Sequence, residues 1–179
     1  MLLSKIFKMG VFKKFDKNNF SFLSQKDNLI CISLAILIFF FDRISKIKII
    51  DHQLNNERVY INDFINLDLV WNTGIGFGLL SSNSALIYNS ITALIGIILI
   101  IILFMIIKSN FFEKILYSVI LGGALGNFYD RVAYFAVPDF IDIHYQRFHW
   151  FTFNIADIFI TIGIFLLIIK ELFIKNEKN

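Results

Sequence analysis

From Ala85 to Ile107 the chain runs without one charged residue. That is longer than the roughly 20 apolar residues needed to cross the hydrocarbon core of a bilayer. A helix this uniformly apolar is not the one-faced surface helix of a water-soluble domain. Three further apolar stretches accompany it. Leu29 to Ile50 is uncharged as far as Phe41 and then carries Asp42, Arg43, Lys46 and Lys48. Phe111 to Phe128 is shorter and holds Glu113 and Lys114 near its start, while Phe153 to Phe173 contains only Asp157 until Lys170. The whole chain is 57% hydrophobic, with 22 phenylalanines and one proline, where a soluble domain would carry more charge and more turn formers. The fold expected is therefore an α-helical polytopic membrane protein, with four transmembrane helices over about 29–50, 85–107, 111–129 and 153–173.

The loops set the orientation. Most lysines precede the first span (Lys5, Lys8, Lys13, Lys14, Lys17, Lys26), flank the short link between spans two and three (Lys108, Lys114) or follow span four (Lys170, Lys175, Lys178). Cytoplasmic loops carry this excess, so both termini are expected in the cytoplasm. One membrane domain over 28–174 is expected, between a basic tail at 1–27 and a short tail at 175–179, with outer loops at 51–84 and 130–152. The N-terminal tail lacks the apolar core of a cleavable signal peptide. Within the first outer loop, Ile65 to Asn72 partly alternates apolar and polar residues, as a half-buried strand does. Tyr60, Trp71 and Trp150 fall where an interfacial aromatic belt belongs. Cys31 is the single cysteine; it excludes an intramolecular disulfide and reads as an inert apolar residue.

The polar clusters all fall on the outer side. Asp42 and Lys46 are four apart on a helix and can pair, either as an interfacial ion pair with the lysine reaching outward or as support for a site. Asn72 to Gly78 alternates glycines, but lacks the strand–loop–helix setting of a dinucleotide loop; the glycines suit close backbone approach, with Asn72 offering an amide. Gly122 and Gly126 form a small-residue face for close helix packing. One turn on, Asn127 and Arg131 share a helix face, with Asp130 beside them. Asp139 and Asp157 lie where the chain re-enters apolar surroundings, and Asn154 stands three residues before Asp157, read as its neighbour on one helical face. A carboxylate near hydrocarbon costs roughly 2.5–3.5 kcal/mol on insertion scales. Two such groups close together cannot both ionise easily, so one holds a proton while the other acts as a base. That is the chemistry of an aspartic hydrolase.

From Asp42 to Ile160, the strings DRISK, NTGIGF, GGALGNFYDR, VPDF and FNIAD occur in that order. In this the chain resembles the lipoprotein signal peptidases (signal peptidase II), aspartic proteases of bacterial inner membranes. The resemblance implies that Asp139 and Asp157 are the catalytic pair. It implies that Asp42, Lys46, Asn72, Gly74, Asn127, Arg131 and Asn154 line the substrate site; Gly122, Gly126 and Asp130, from the residues themselves, are expected to support it. The implied substrate is a prolipoprotein whose cysteine carries a diacylglyceryl thioether, cut just before that cysteine. The implied fold adds a small β-rich outer, periplasmic cradle near the active site. A monomer in contact with membrane lipids is expected, with no nucleic-acid partner, no cofactor and no metal. Ser45 stands where threonine is usual, Ile75 and Gly76 where small alanines are usual, and Pro138 where a β-branched residue is common.

Two rival readings remain open from the residues alone. Asp139, Asp142, His144 and His149 fall in one loop and could ligate a divalent cation, although no HExxH element is present and His52 lies far off in sequence. A non-enzymatic scaffold would use only the glycine face. Serine and GxGD types of intramembrane proteolysis find no matching element.

Overall fold

The computed structural model describes residues 26–54, 58–74 and 85–176. The basic tail before Lys26 and the positions Ile75, Gly76 and Gly78 lie outside the described residues. Four long helices and four strands follow in order: α1 (Lys26–Gln53), β1 (Val59–Asn62), β2 (Ile65–Asn72), α2 (Ala85–Lys108), α3 (Phe111–Tyr134), β3 (Val137–Tyr145), β4 (Phe148–Phe153) and α4 (Ile155–Asn176). At 1.5 Å per residue the helices reach about 33–42 Å, more than the thickness of a bilayer core. Among them, α2 alone meets a strict test of length and hydropathy for crossing a membrane.

Helix α3 is the centre of the bundle and packs against α1, α2 and α4. Its N-terminus is closed by Asn110, whose side chain accepts from Glu113 N at 3.1 Å. The helix runs on past the apolar stretch to Tyr134, so Asn127, Asp130 and Arg131 are helical. Phe135 then takes the left-handed conformation (φ 57°) that ends helices and turns the chain into β3. Two glycines set the approach of α1 to α3. A Cβ at Gly122 would stand 2.6 Å from the Ala35 carbonyl, and one at Gly126 would run into the Asp42 carboxylate.

Large apolar side chains point away from the bundle on three helices, among them Leu37 and Phe40 on α1, Ile97 and Phe104 on α2, and Phe165 and Leu172 on α4. An exposed apolar belt of this extent marks a surface made for a non-aqueous neighbour.

The strands form one antiparallel sheet in the order β1-β2-β3-β4. The alternating segment Ile65–Asn72 is β2, as its pattern suggested. The segment read as a loop beyond Arg131 is instead the strand pair β3 and β4. Pro138 is accommodated at the second residue of β3, opposite Trp71, where strand proline is tolerated near an end. The sheet carries Asp139 on β3 and hands the chain through β4 directly into α4.

Candidate active site

The N-terminus of α4 organises the site. Asn154 precedes the first helical residue, so it is the N-cap rather than a member of the helical face expected from its spacing. Its Oδ1 accepts from Asp157 N at 3.0 Å, and Asp157 Oδ2 accepts in return from Asn154 N at 3.2 Å. This is the reciprocal arrangement of a capping box, with Asp in place of Glu or Gln. Asn154 is fully buried, and its Nδ2 donates to Asp139 Oδ1 at 2.6 Å. One asparagine therefore holds both aspartates, one through backbone capping and one through its amide.

The remaining carboxylate oxygens also have amide donors. Asn72 Nδ2 donates to Asp139 Oδ2 at 2.8 Å, and Asn127 Nδ2 donates to Asp157 Oδ1 at 2.8 Å. Strand β2 supplies Asn72 and α3 supplies Asn127, so three separate elements converge on the pair. The Asn72 Oδ1 accepts from Gly74 N at 2.8 Å, which turns its amide toward Asp139. Burial pushes the Asp139 carboxyl up to about 6, and the Asp157 charge adds to the rise, against the lowering effect of Asn72 and Asn154.

Beneath the pair lies a buried ionic layer. Lys46 Nζ donates to Asp42 Oδ2 at 2.7 Å, Asp130 Oδ2 at 2.7 Å and Asn127 Oδ1 at 2.8 Å. Its three protons are matched by three acceptors. Arg43 pairs with the other oxygen of Asp130. Asp42 Oδ1 accepts from Ala156 N at 2.9 Å, placing a negative charge on the first turn of α4 where the helix dipole favours it. Asp42 and Lys46, expected to contact substrate, are both fully buried and do not line the cavity. Nor does Lys46 reach outward, since it is fully buried and its ammonium is held by Asn127 and Asp130 of α3.

Asn72, Asn127, Arg131, Asp139 and Asp157 line a largely apolar cavity of about 530 Å³, bounded by Ile95, Ile98 and Leu167 among others. Arg131 donates through Nη2 to the Gly74 carbonyl, while its buried Nε and Nη1 have no hydrogen-bond partner among the described residues. Asp157 also borders a second apolar cavity of about 340 Å³, shared with Ile143, Phe153 and Thr161. Gly74 and Asn154 support the lining without joining it. Gly122 and Gly126 bring α1 close enough for Asp42 to reach α4.

Two contributors escaped the sequence. Tyr88 donates its hydroxyl to the Arg131 carbonyl at 2.9 Å and lies beside the guanidinium; within the long uncharged run nothing distinguishes it. Arg43 was visible as a charge in an apolar run, but its partner was not. The proposed grouping of Asp139 with Asp142, His144 and His149 does not form. Among the described residues only the last three cluster, because Asp139 stands an odd number of strand positions from Asp142 and faces the other way.

A family model described as "Signal peptidase (SPase) II" matches residues 34–173. A protein named lipoprotein signal peptidase from Pelagibacter ubique (strain HTCC1062) is 49% identical over 159 residues, covering 88% of this chain and 96% of its own. Its namesake from Francisella tularensis subsp. novicida (strain U112) is 40% identical over 151 residues, or 80% of this chain and 92% of its own. A solved bacterial membrane enzyme superposes with a TM-score of 0.72 at 32% identity, over 84% of this chain and 92% of that one.

Proposed function

The chain belongs to the signal peptidase II family, and from that premise we propose that it removes signal peptides from prolipoproteins as an aspartic endopeptidase, with Asp139 and Asp157 as its catalytic pair. The observation that carries this reading is Asn154, which donates to both carboxyl groups at the edge of an apolar cavity. Two carboxyls held by one asparagine, one through its side-chain amide and one through its backbone N–H, suit a shared proton. A water between them would lose a proton to the ionised member as it attacks the scissile carbonyl. The protonated member would polarise that carbonyl and later protonate the leaving amine. The pair titrates as a unit, so the two roles belong to the dyad rather than to fixed residues.

Arg131 offers its buried Nε and Nη1 to a substrate carbonyl or to the oxyanion that develops there. Asn72 and Asn127 hold the carboxyls in register while the substrate backbone passes. Lys46, Asp42 and Asp130 act below them as a rigid base. The cavity is built entirely from one chain, so a monomer suffices.

The substrate is a precursor bearing a diacylglyceryl thioether on the cysteine that follows the cleaved bond. The apolar cavity beside the dyad supports this, since acyl chains would enter it from the bilayer. All four helices cross the inner membrane, with both termini cytoplasmic and the sheet and dyad at the periplasmic face. Helix length, the outward apolar belt and the lysine distribution support that topology.

The substrate assignment is tested with purified enzyme in liposomes. The enzyme should cut lipidated precursor immediately before its cysteine, as mapped by mass spectrometry, and leave unlipidated precursor intact. Equal cutting of both would overturn the role given to the lipid.

A further inference from the structure

A second convergence of ligating groups lies on the opposite face of the sheet from Asp139. Asn66 of β2 stands opposite Asp142 of β3, and His144 of β3 stands opposite His149 of β4. Positions 142 and 144 are two apart, so cross-strand pairing brings all four side chains to one face. His149 Nδ1 lies 2.8 Å from Asp142 Oδ2, and His144 Nδ1 lies 3.7 Å from the same oxygen. The two imidazoles stack at 5.3 Å. One ligand atom from each of Asp142, His144 and His149 lies within 4.8 Å of the others. Asp142 and His144 are buried, whereas the His149 side chain is half exposed.

Asn66 is a separate sign that a ligand belongs here. It is buried, its amide lies against the His144 ring, and its Oδ1 has no hydrogen-bond partner among the described residues. A buried carbonyl without a partner costs roughly 1–3 kcal/mol, a cost that a ligand could recover. Asn66, His144 and His149 line a cavity of about 320 Å³ with Tyr60, Arg58 and Arg147. That cavity shares no lining residue with the cavity beside the dyad. Both arginines are exposed, so solvent ions screen their charge.

We propose that Asp142, His144 and His149 bind a zinc-class divalent transition metal, with Asn66 Oδ1 beside it as a further oxygen donor. Two imidazoles and a carboxylate are the donor set such ions take, whereas magnesium and calcium favour all-oxygen sites. Ligand bonds of about 2.0–2.1 Å require the three groups to draw closer than they stand. His149 has the exposure to swing inward. The metal would tie β2, β3 and β4 together on the strand that carries Asp139 three positions earlier. It braces the outer sheet and takes no part in the reaction.

The test uses the full-length protein, purified in detergent with a tag free of histidine and stripped with a chelator. Zinc chloride is titrated by calorimetry and followed by thermal unfolding, with magnesium chloride as control, for wild type, H149A, D142N, H52A and D157N. Zinc should bind one to one and raise the unfolding temperature, and magnesium should do neither. H149A and D142N should weaken zinc at least about tenfold and lose the thermal shift, while H52A and D157N behave as wild type. Three outcomes would each overturn the proposal: no stoichiometric zinc binding to wild type, undiminished binding by H149A, or loss of binding in D157N, which would put the metal at the dyad.

Discussion

The Lys46 ammonium donates to Asn127 Oδ1 at 2.8 Å, and in doing so fixes which end of that amide faces the dyad. Because the carbonyl oxygen is taken, the Nδ2 must point the other way, where it meets Asp157 Oδ1 at 2.8 Å. A cation that touches neither aspartate thus decides the hydrogen bond that one of them receives. N127D keeps the acceptor for Lys46 but turns a second carboxylate oxygen toward Asp157. We expect kcat to fall by on the order of 10²-fold or more, the scale of losing a positioned catalytic donor. The unfolding temperature should change little, which separates positioning from folding.

Lys46 itself is expected to matter for folding. K46M would leave Asp42 and Asp130 without their shared counter-charge in a site closed to water. Breaking a buried ion pair on one side costs about 3–5 kcal/mol. K46M should therefore unfold well below wild type in detergent. The double variant K46M/D42N, which removes the carboxylate left with no counter-ion while Asp130 keeps Arg43, should recover part of that loss.

Asn154 has two duties that substitution can separate. Serine still caps a helix but cannot reach Asp139 with an amide, whereas alanine does neither. N154A should lose about 1 kcal/mol of stability, the usual worth of a cap, as well as activity. N154S should keep most of the stability and remain as inactive as N154A. Equal activity of N154S and wild type would remove Asn154 from the catalytic account.

The acidity of Asp139 gives a pH signature. Its carboxyl sits at about 6 against an ordinary 3.8, so the folded protein favours the protonated form. The stability from this group is full below about 3.8 and is lost as pH rises through about 6, by on the order of 3 kcal/mol. Wild type should therefore lose stability relative to D139N as pH rises from 4 toward 7, measured by thermal unfolding at each pH. The singly protonated dyad declines over the upper part of the same window, so kcat/KM should show an alkaline limb near 6. A profile flat from pH 5 to 8 would contradict the shared-proton reading.

Much of this is legible in the sequence itself. The uncharged run in α2 and the alternation in Ile65–Asn72 each point to one local structure, and both elements formed as expected. The aspartates stood out because charge in an apolar setting is costly. What stayed hidden was long range or at a boundary. Strand β3 has a proline at its second residue, and β4 runs straight into α4, so neither announced itself as a strand. Asn154 looked like a helical neighbour of Asp157 because a cap differs from a first turn by a single residue. The links from Lys46 to Asn127 and from Asp42 to Ala156 join segments far apart in sequence, and local pattern does not encode such pairings.

The most direct test of the dyad is cleavage of a purified diacylglyceryl-modified prolipoprotein by wild type, D139N and D157N, each shown to be folded by its unfolding transition. Wild type should cut, and both variants should fall to background while remaining folded. Near-normal cleavage by either folded variant would contradict the central claim that these two aspartates carry the reaction together.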